Sequence, residues 1–265
     1  MAALRFLPLV LVALGCAAAT PAHGVRSFDS EDAGAPRVVL VAGEDEHGSA
    51  ETLAELARLL EERHGLDCVL LVARARDDVP GLEALAHADL AVFYLRYRTL
   101  PDEQLEHVLS YVRSGRPVLG LRTSTHAFLY PPEDPRAAWN DGFGTELFGQ
   151  RWLYHYGHGS RTTVRRADAS REHPILDGVA TPFESRAWLY HVNPLPQDCT
   201  VLLTGTAIDS DRSRTELEPV AWARTSGGRR AFYTSLGERG DFGLAPVRRL
   251  LVNAVHWCLG RAADG

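Results

Sequence analysis

One pattern limits the fold of this chain more than any other. A short, uninterrupted apolar run is repeatedly followed by a stretch with apolar residues three and four apart. Arg37–Ala42 (RVVLVA) is the first such run, β-branched and closed by Gly43. A strand that is apolar on both faces belongs in a sheet covered on both sides, as parallel sheets are. Leu53, Leu56, Ala57 and Leu60 then mark one face of a helix, for which Ser49 is the expected N-cap and Gly65 the stop. The cycle continues with a strand over 68–73, a short helix around 82–86, and a strand over 90–95. Pro101 opens a helix with Leu105, Val108, Leu109 and Val112 on its apolar face, and 117–121 reads as the next buried strand. Strands alternating with helices of this length predict βαβ units in a three-layer α/β domain, with a mostly parallel sheet between helices.

The rhythm stops after Leu121. Residues from about 127 to 200 are rich in Gly, Pro, Trp, Tyr and His, and no long amphipathic helix is expected there. This stretch reads as an insertion over the strand ends. Trp139 to Gly144 is taken as a loop against the sheet, with Asn140 as an outlying candidate for ligand contact. Strands resume at 201–204, 220–224 and 231–235, and a last helix carries Val247, Leu250, Leu251 and Ala254. Residues 37–261 therefore form one domain. Before it, 1–19 has a positive start, an apolar run too short to span a bilayer and small residues at 17–19, the pattern of a secretory signal. Cys16 lies in a lipobox-like context, which makes a lipid anchor the alternative to plain cleavage. Residues 20–36 read as a linker. Export to the periplasm, cell envelope or medium is the expected localisation. The formal net charge of −6 argues against nucleic acid as a partner. Cys68, Cys199 and Cys258 are widely spaced and read as packing thiols, with one bridge among them left open.

In open parallel sheets ligands sit beyond the carboxyl ends of the strands. That rule selects Glu46 and His47 after the first strand, and Arg96 and Arg98 after the third. It also selects Arg122, Thr123, Ser124 and His126 after the fourth, and Glu238 near the end. His47, His126, Glu46 and Glu238 are the candidate acid–base groups, since imidazoles and carboxylates exchange protons near neutrality. Arg122, Arg96, Arg98, Thr123 and Ser124 are candidates for holding substrate oxygens, and Trp152 and Tyr154 for stacking on it. His155 and His158 have the spacing of a two-histidine metal clip, which makes a divalent ion such as zinc the candidate cofactor. The competing structural reading makes Arg122 an ion-pair partner of Glu44 or Glu46.

The stretch PVLGLRTSTHAF resembles the strand and elbow of the class I glutamine amidotransferase superfamily. VVLVAGEDEH, GFGTELFGQRWLYHYGHG, HPILDGV, FYTSLG and RRLLVNAVHWCLG resemble its ThuA-like, trehalose-utilisation branch. The resemblance covers nearly all of 37–261 and implies a flavodoxin-like sheet with its pocket at the elbow. It also implies a small carbohydrate or sugar derivative as ligand, in saccharide catabolism. At the position where the superfamily carries its cysteine nucleophile this chain has Arg122. A guanidinium stays protonated and cannot attack a carbonyl, so amidotransferase chemistry is not implied. Three readings follow: an enzyme acting on a sugar derivative, such as a hydrolase or lyase; a binding module for a carbohydrate or anion; and, more weakly, a hydrolase using Ser124 or Thr123 with His126.

Overall fold

The computed structural model describes residues 23–170, 172–211 and 216–262. The signal and lipidation readings at 1–19 lie outside the described residues. In chain order the first half comprises β1 (Gly24–Phe28), β2 (Arg37–Gly43), α1 (Ser49–His64), β3 (Asp67–Val72), β4 (Leu90–Leu95), α2 (Asp102–Arg113) and β5 (Val118–Leu121). The second half comprises α3 (Ala138–Phe148), β6 (Tyr154–His155), β7 (Arg161–Arg166), β8 (Phe183–Ser185), β9 (Tyr190–His191), β10 (Cys199–Ile208), β11 (Glu218–Ser226), β12 (Arg229–Thr234) and α4 (Ala245–Cys258). No helix among the described residues is long and apolar enough to cross a membrane.

Ten strands form one sheet in the order β1-β3-β2-β4-β5-β12-β11-β10-β7-β8, and β6 with β9 makes a separate two-stranded ribbon. Strands β3, β2, β4, β5 and β12 run parallel. The remaining pairings are antiparallel, so the sheet is mixed, a parallel centre with antiparallel wings, where a mostly parallel one was expected. The wing follows from the tight Gly227-Gly228 turn, both residues left-handed at φ 58° and 84°, which folds β12 back along β11.

Side chains alternate across a strand, and that period separates two cores. Val38, Leu40 and Ala42 pack with Leu53 and Leu60 of α1 and Leu250 of α4. Val39 and Val41 face the opposite side, with Leu105 and Val108 of α2 and Phe143 of α3. These side chains are fully buried, and truncating one such leucine to alanine costs about 2–5 kcal/mol.

Three local expectations are corrected. Residues 20–36 are not only a tether, because β1 pairs with β3 from Gly24↔Val72 to Phe28↔Cys68. Gly48, not Ser49, caps α1, in a left-handed conformation at φ 76°. The Ser49 hydroxyl instead donates to the Glu44 carbonyl at 2.6 Å and accepts from the Glu44 amide at 3.0 Å, stapling the loop after β2. The segment expected as a loop around Trp139 is helix α3. Gly144 within it serves close packing, since a Cβ there would sit 2.5 Å from the Thr125 carbonyl oxygen. Asn140 is a structural residue there: its side chain accepts from the Tyr130 amide at 2.8 Å and donates to the Tyr130 carbonyl at 3.0 Å.

Candidate functional site

The elbow is built by β5 and the 3-10 turn Arg122–His126 that follows it. Arg122 adopts φ 46°, a left-handed conformation that costs a non-glycine residue about 1–3 kcal/mol. Neighbouring contacts hold it there. The Tyr233 hydroxyl donates to the Arg122 carbonyl, and Arg122 Nη1 donates to the Ser235 carbonyl at 2.9 Å. Ser124 donates to the carbonyls of Phe93 at 2.6 Å and Leu121 at 2.8 Å, tying the turn to β4. Gly120 precedes the elbow for a packing reason: a Cβ there would stand 2.3 Å from Phe148 Cζ of α3.

Beyond the ends of β2, β4 and β5 lies a small cleft of about 70 Å³. Its sheet side carries Glu46, His47, Arg96, Tyr97, Thr123 and His126, all from strand-end loops. Its far wall is Trp152, His155 and His158 near β6, with Trp188 and Tyr190 near β9. The register of the ribbon explains which side chains face inward. His155 pairs with Tyr190 and Tyr154 with His191, so the two pairs point to opposite faces. His155 and Tyr190 line the cleft, whereas Tyr154 stacks on His191 at 4.5 Å on the other face. Larger hollows of about 800 and 480 Å³ lie over the antiparallel wing and between α1 and α4, away from these strand ends.

Trp188 is the hinge of the wall. Its ring meets His47 at 5.7 Å, His155 at 5.1 Å and His158 at 4.6 Å. His126 packs against Trp152 at 4.9 Å and Tyr97 at 5.3 Å. The electrostatics are those of buried bases near cations. Burial, then the charges of Arg122 and Arg96, pushes His47 down to about 3. Burial first, then Arg96, Arg122 and His47, pushes His126 down to about 3 as well. Both imidazoles are therefore neutral at pH 7, able to donate or accept a hydrogen bond but weak as unaided proton acceptors.

His47, His126, Glu46, Arg96 and Thr123, selected by the strand-end rule, lie in one cleft with Trp152, His155 and His158, selected as stacking and metal-clip candidates. The rule fails for others. Arg122 is completely buried and stands behind the wall, its guanidinium carbon 5.1 Å from the Tyr190 ring centre and 5.9 Å from that of Trp188. It makes no ion pair with Glu44 or Glu46 among the described residues; Glu46 pairs instead with Arg96 at 2.6 Å. Glu44 spends its carboxylate on the amides of Glu46 at 2.6 Å and His47 at 2.8 Å, and burial raises its pKa. Arg98 is buried among loop contacts, bonded to the Arg96 and Ala75 carbonyls and to Asp45 at 3.0 Å. Ser124 is locked to backbone, as above. Glu238 accepts from the Gly240 amide at 2.8 Å and does not line the cleft.

His155 and His158 meet edge to face at 4.5 Å. No third ligand atom joins them among the described residues. The groups of three that come together there are Glu44, Glu46 and His47, and His191, Glu216 and Glu218. Both groups contain a carboxylate already used by backbone amides. The three described cysteines are unpaired and none lines the cleft, so thioester chemistry has no nucleophile there.

The sequence family described as ThuA, trehalose utilisation, matches residues 37–258, which is most of the chain and includes every cleft residue. The chain belongs to the ThuA family. Solved ThuA-like proteins share its fold. One from Bacteroides uniformis is 16% identical, with 86% of this chain and 94% of that one covered and a TM-score of 0.63. One from Parabacteroides merdae is 17% identical, covering 87% and 92%, with a TM-score of 0.64. A cold-adapted β-galactosidase from Rahnella sp. R3 matches over 84% of this chain and 31% of its own, at 14% identity and a TM-score of 0.52. Comparison with curated protein sequences returns no match.

Within this ThuA-family chain, Tyr97, Trp188 and Tyr190 are cleft residues that sequence reasoning missed. Tyr97 sits between two arginines already selected, and its left-handed φ of 52° turns it inward. Trp188 and Tyr190 carry no local signal, because they reach the cleft only through the pairing of β9 with β6.

Proposed function

We propose that this ThuA-family protein is exported, binds a small carbohydrate or sugar derivative in the strand-end cleft and acts on it there. The observation that carries the reading is the meeting of two indoles, Trp152 and Trp188, with the neutral imidazoles of His47 and His126 and the guanidinium of Arg96. Indole faces stack on the CH faces of sugars, while the imidazoles and the guanidinium satisfy hydroxyls. The Gly- and aromatic-rich stretch over 127–200 is the part we assign to shaping the ligand space. The family description, trehalose utilisation, points the same way, and so does the occurrence of this fold within a β-galactosidase.

A second reading, a binding module without chemistry, is favoured by the low proton affinity of both histidines. Neither is poised near pH 7, where a general acid or base works best. Melting curves with a panel of neutral sugars, keto-sugars and sugar acids, with product detection by mass spectrometry, test both readings. Stabilisation with turnover supports an enzyme, and stabilisation alone supports a binding module. If no sugar raises the melting temperature, or if Trp188→Ala leaves the shifts intact, the carbohydrate reading fails.

A further inference from the structure

The polar atoms that the fold leaves without partners narrow the ligand. Thr123 Oγ1, His126 Nδ1 and Trp152 Nε1 are buried, belong to residues lining the cleft, and have no hydrogen-bond partner. Two more, Nε and Nη2 of Arg122, stand in the same condition directly behind Tyr190 and Trp188. A buried polar group left unpaired costs folding free energy, so the three that belong to the cleft lining are best explained by a ligand that satisfies them, while Arg122 acts on the cleft only through its charge.

These atoms are not a neutral mixture. An indole nitrogen and the guanidinium nitrogens can only donate; the threonine hydroxyl and a neutral imidazole can do either. Arg122 brings a full charge with no carboxylate paired to it among the described residues. Arg96, paired with the exposed Glu46, adds a second cation at the mouth. The inner side of the cleft is therefore rich in donors and lies in the field of the buried Arg122 and of Arg96, while the outer wall of Trp188, His155 and His158 is aromatic.

We infer that the ligand is a sugar acid, its carboxylate directed at Thr123, His126 and Trp152 and its ring lying against Trp188. This rests on the carbohydrate reading above and specifies the ligand's charge. Charge-assisted hydrogen bonds to a carboxylate are the strong ones, and they would turn the cost of the orphan donors into affinity. A neutral sugar makes only neutral hydrogen bonds with these groups and brings no charge to the field of Arg122.

Calorimetric titration of the full protein with glucuronate and gluconate, their neutral counterpart glucose, and acetate as an anion without a ring tests the inference. The sugar acids are expected to bind at least about tenfold more tightly than glucose, the gain of one charge-assisted hydrogen bond. Thr123→Val keeps shape and removes one polar group. It is expected to lower sugar-acid affinity about tenfold while the ligand-free melting temperature holds or rises, because a buried unsatisfied group has been deleted. Glucose binding as tightly as the acids overturns the inference and leaves the carbohydrate reading standing. Acetate matching glucuronate overturns both, by showing an anion site indifferent to sugar. The Thr123→Val variant binding the acids as the parent does also overturns the inference.

Discussion

The two buried histidines make acid stability a direct reporter of the cleft. His126 is 8% exposed, and its pKa lies near 3 where an unfolded histidine titrates near 6.5. Burial of the ring is the main cause, with Arg96, Arg122 and His47 adding to it. A base whose folded pKa is depressed binds its proton more tightly in the unfolded chain. The stability it contributes is thus present above pH 6.5 and declines as pH falls towards 3. Between pH 7 and pH 5 the unfolded state gains most of one proton while the folded ring stays neutral, a loss of about 2 kcal/mol for this residue alone. His47 acts in the same direction over the same window. Glu44 and Asp241 oppose it, because burial raises their folded pKa values and they gain stability as pH falls. The informative quantity is therefore a difference between proteins. Urea unfolding of the parent and His126→Gln at pH 7 and pH 5 should show the parent losing about 2 kcal/mol more than the variant over that interval. Equal losses, or a His126 resonance titrating near pH 6.5 by NMR, would refute the burial argument and the neutral-imidazole chemistry built on it.

Arg122→Met removes a buried cation with two unpartnered nitrogens at the cost of one hydrogen bond to Ser235, so stability should hold within about 1–2 kcal/mol while the His47 and His126 pKa values rise. A loss beyond about 4 kcal/mol in chemical denaturation would show that Arg122 is paired in a way the geometry does not contain. Glu218 is fully buried and anchors the ribbon, accepting from the Tyr156 hydroxyl at 2.7 Å and the amides of Val192 and Asn193, with His191 Nδ1 at 2.5 Å. Glu218→Ala strands all of these groups and should cost about 3–5 kcal/mol, with ligand binding lost because Tyr190 and Trp188 lose their support. Gly120→Ala drives a methyl into Phe148 and should cost about 1–3 kcal/mol by denaturation, with Phe148→Leu in the same chain restoring part of it. No recovery in the double variant would locate the strain elsewhere.

Much of the scaffold could be read from local order alone. The runs at 37–42, 68–73, 90–95 and 117–121 became β2, β3, β4 and β5, and the faces assigned to α1, α2 and α4 are the faces buried. Both results depend on periods of two and 3.6 residues, which a few neighbouring positions are enough to express. Helix α3 escaped because its glycines are breakers by propensity, while Gly144 is there for close contact with Thr125, a fact of packing. Strand β1 escaped because its partner, β3, lies some forty residues away and its own sequence alternates only weakly. His47, Arg96, Thr123 and His126, selected by the strand-end rule, lie together in one cleft.

What the sequence by itself determined was the parallel centre of the sheet and the place of the elbow that opens at Arg122. What only the tertiary structure decided was where each of those groups faces. Ser124 turned to the backbone of β4, Tyr154 turned to the outer face of the ribbon, and Arg122 sank behind the wall instead of entering the cleft. The cause is common to all three. A residue's element follows from its neighbours in the chain, but its partners are set by contacts such as β6 with β9 or Arg122 with Ser235, between segments that meet only once the sheet is assembled.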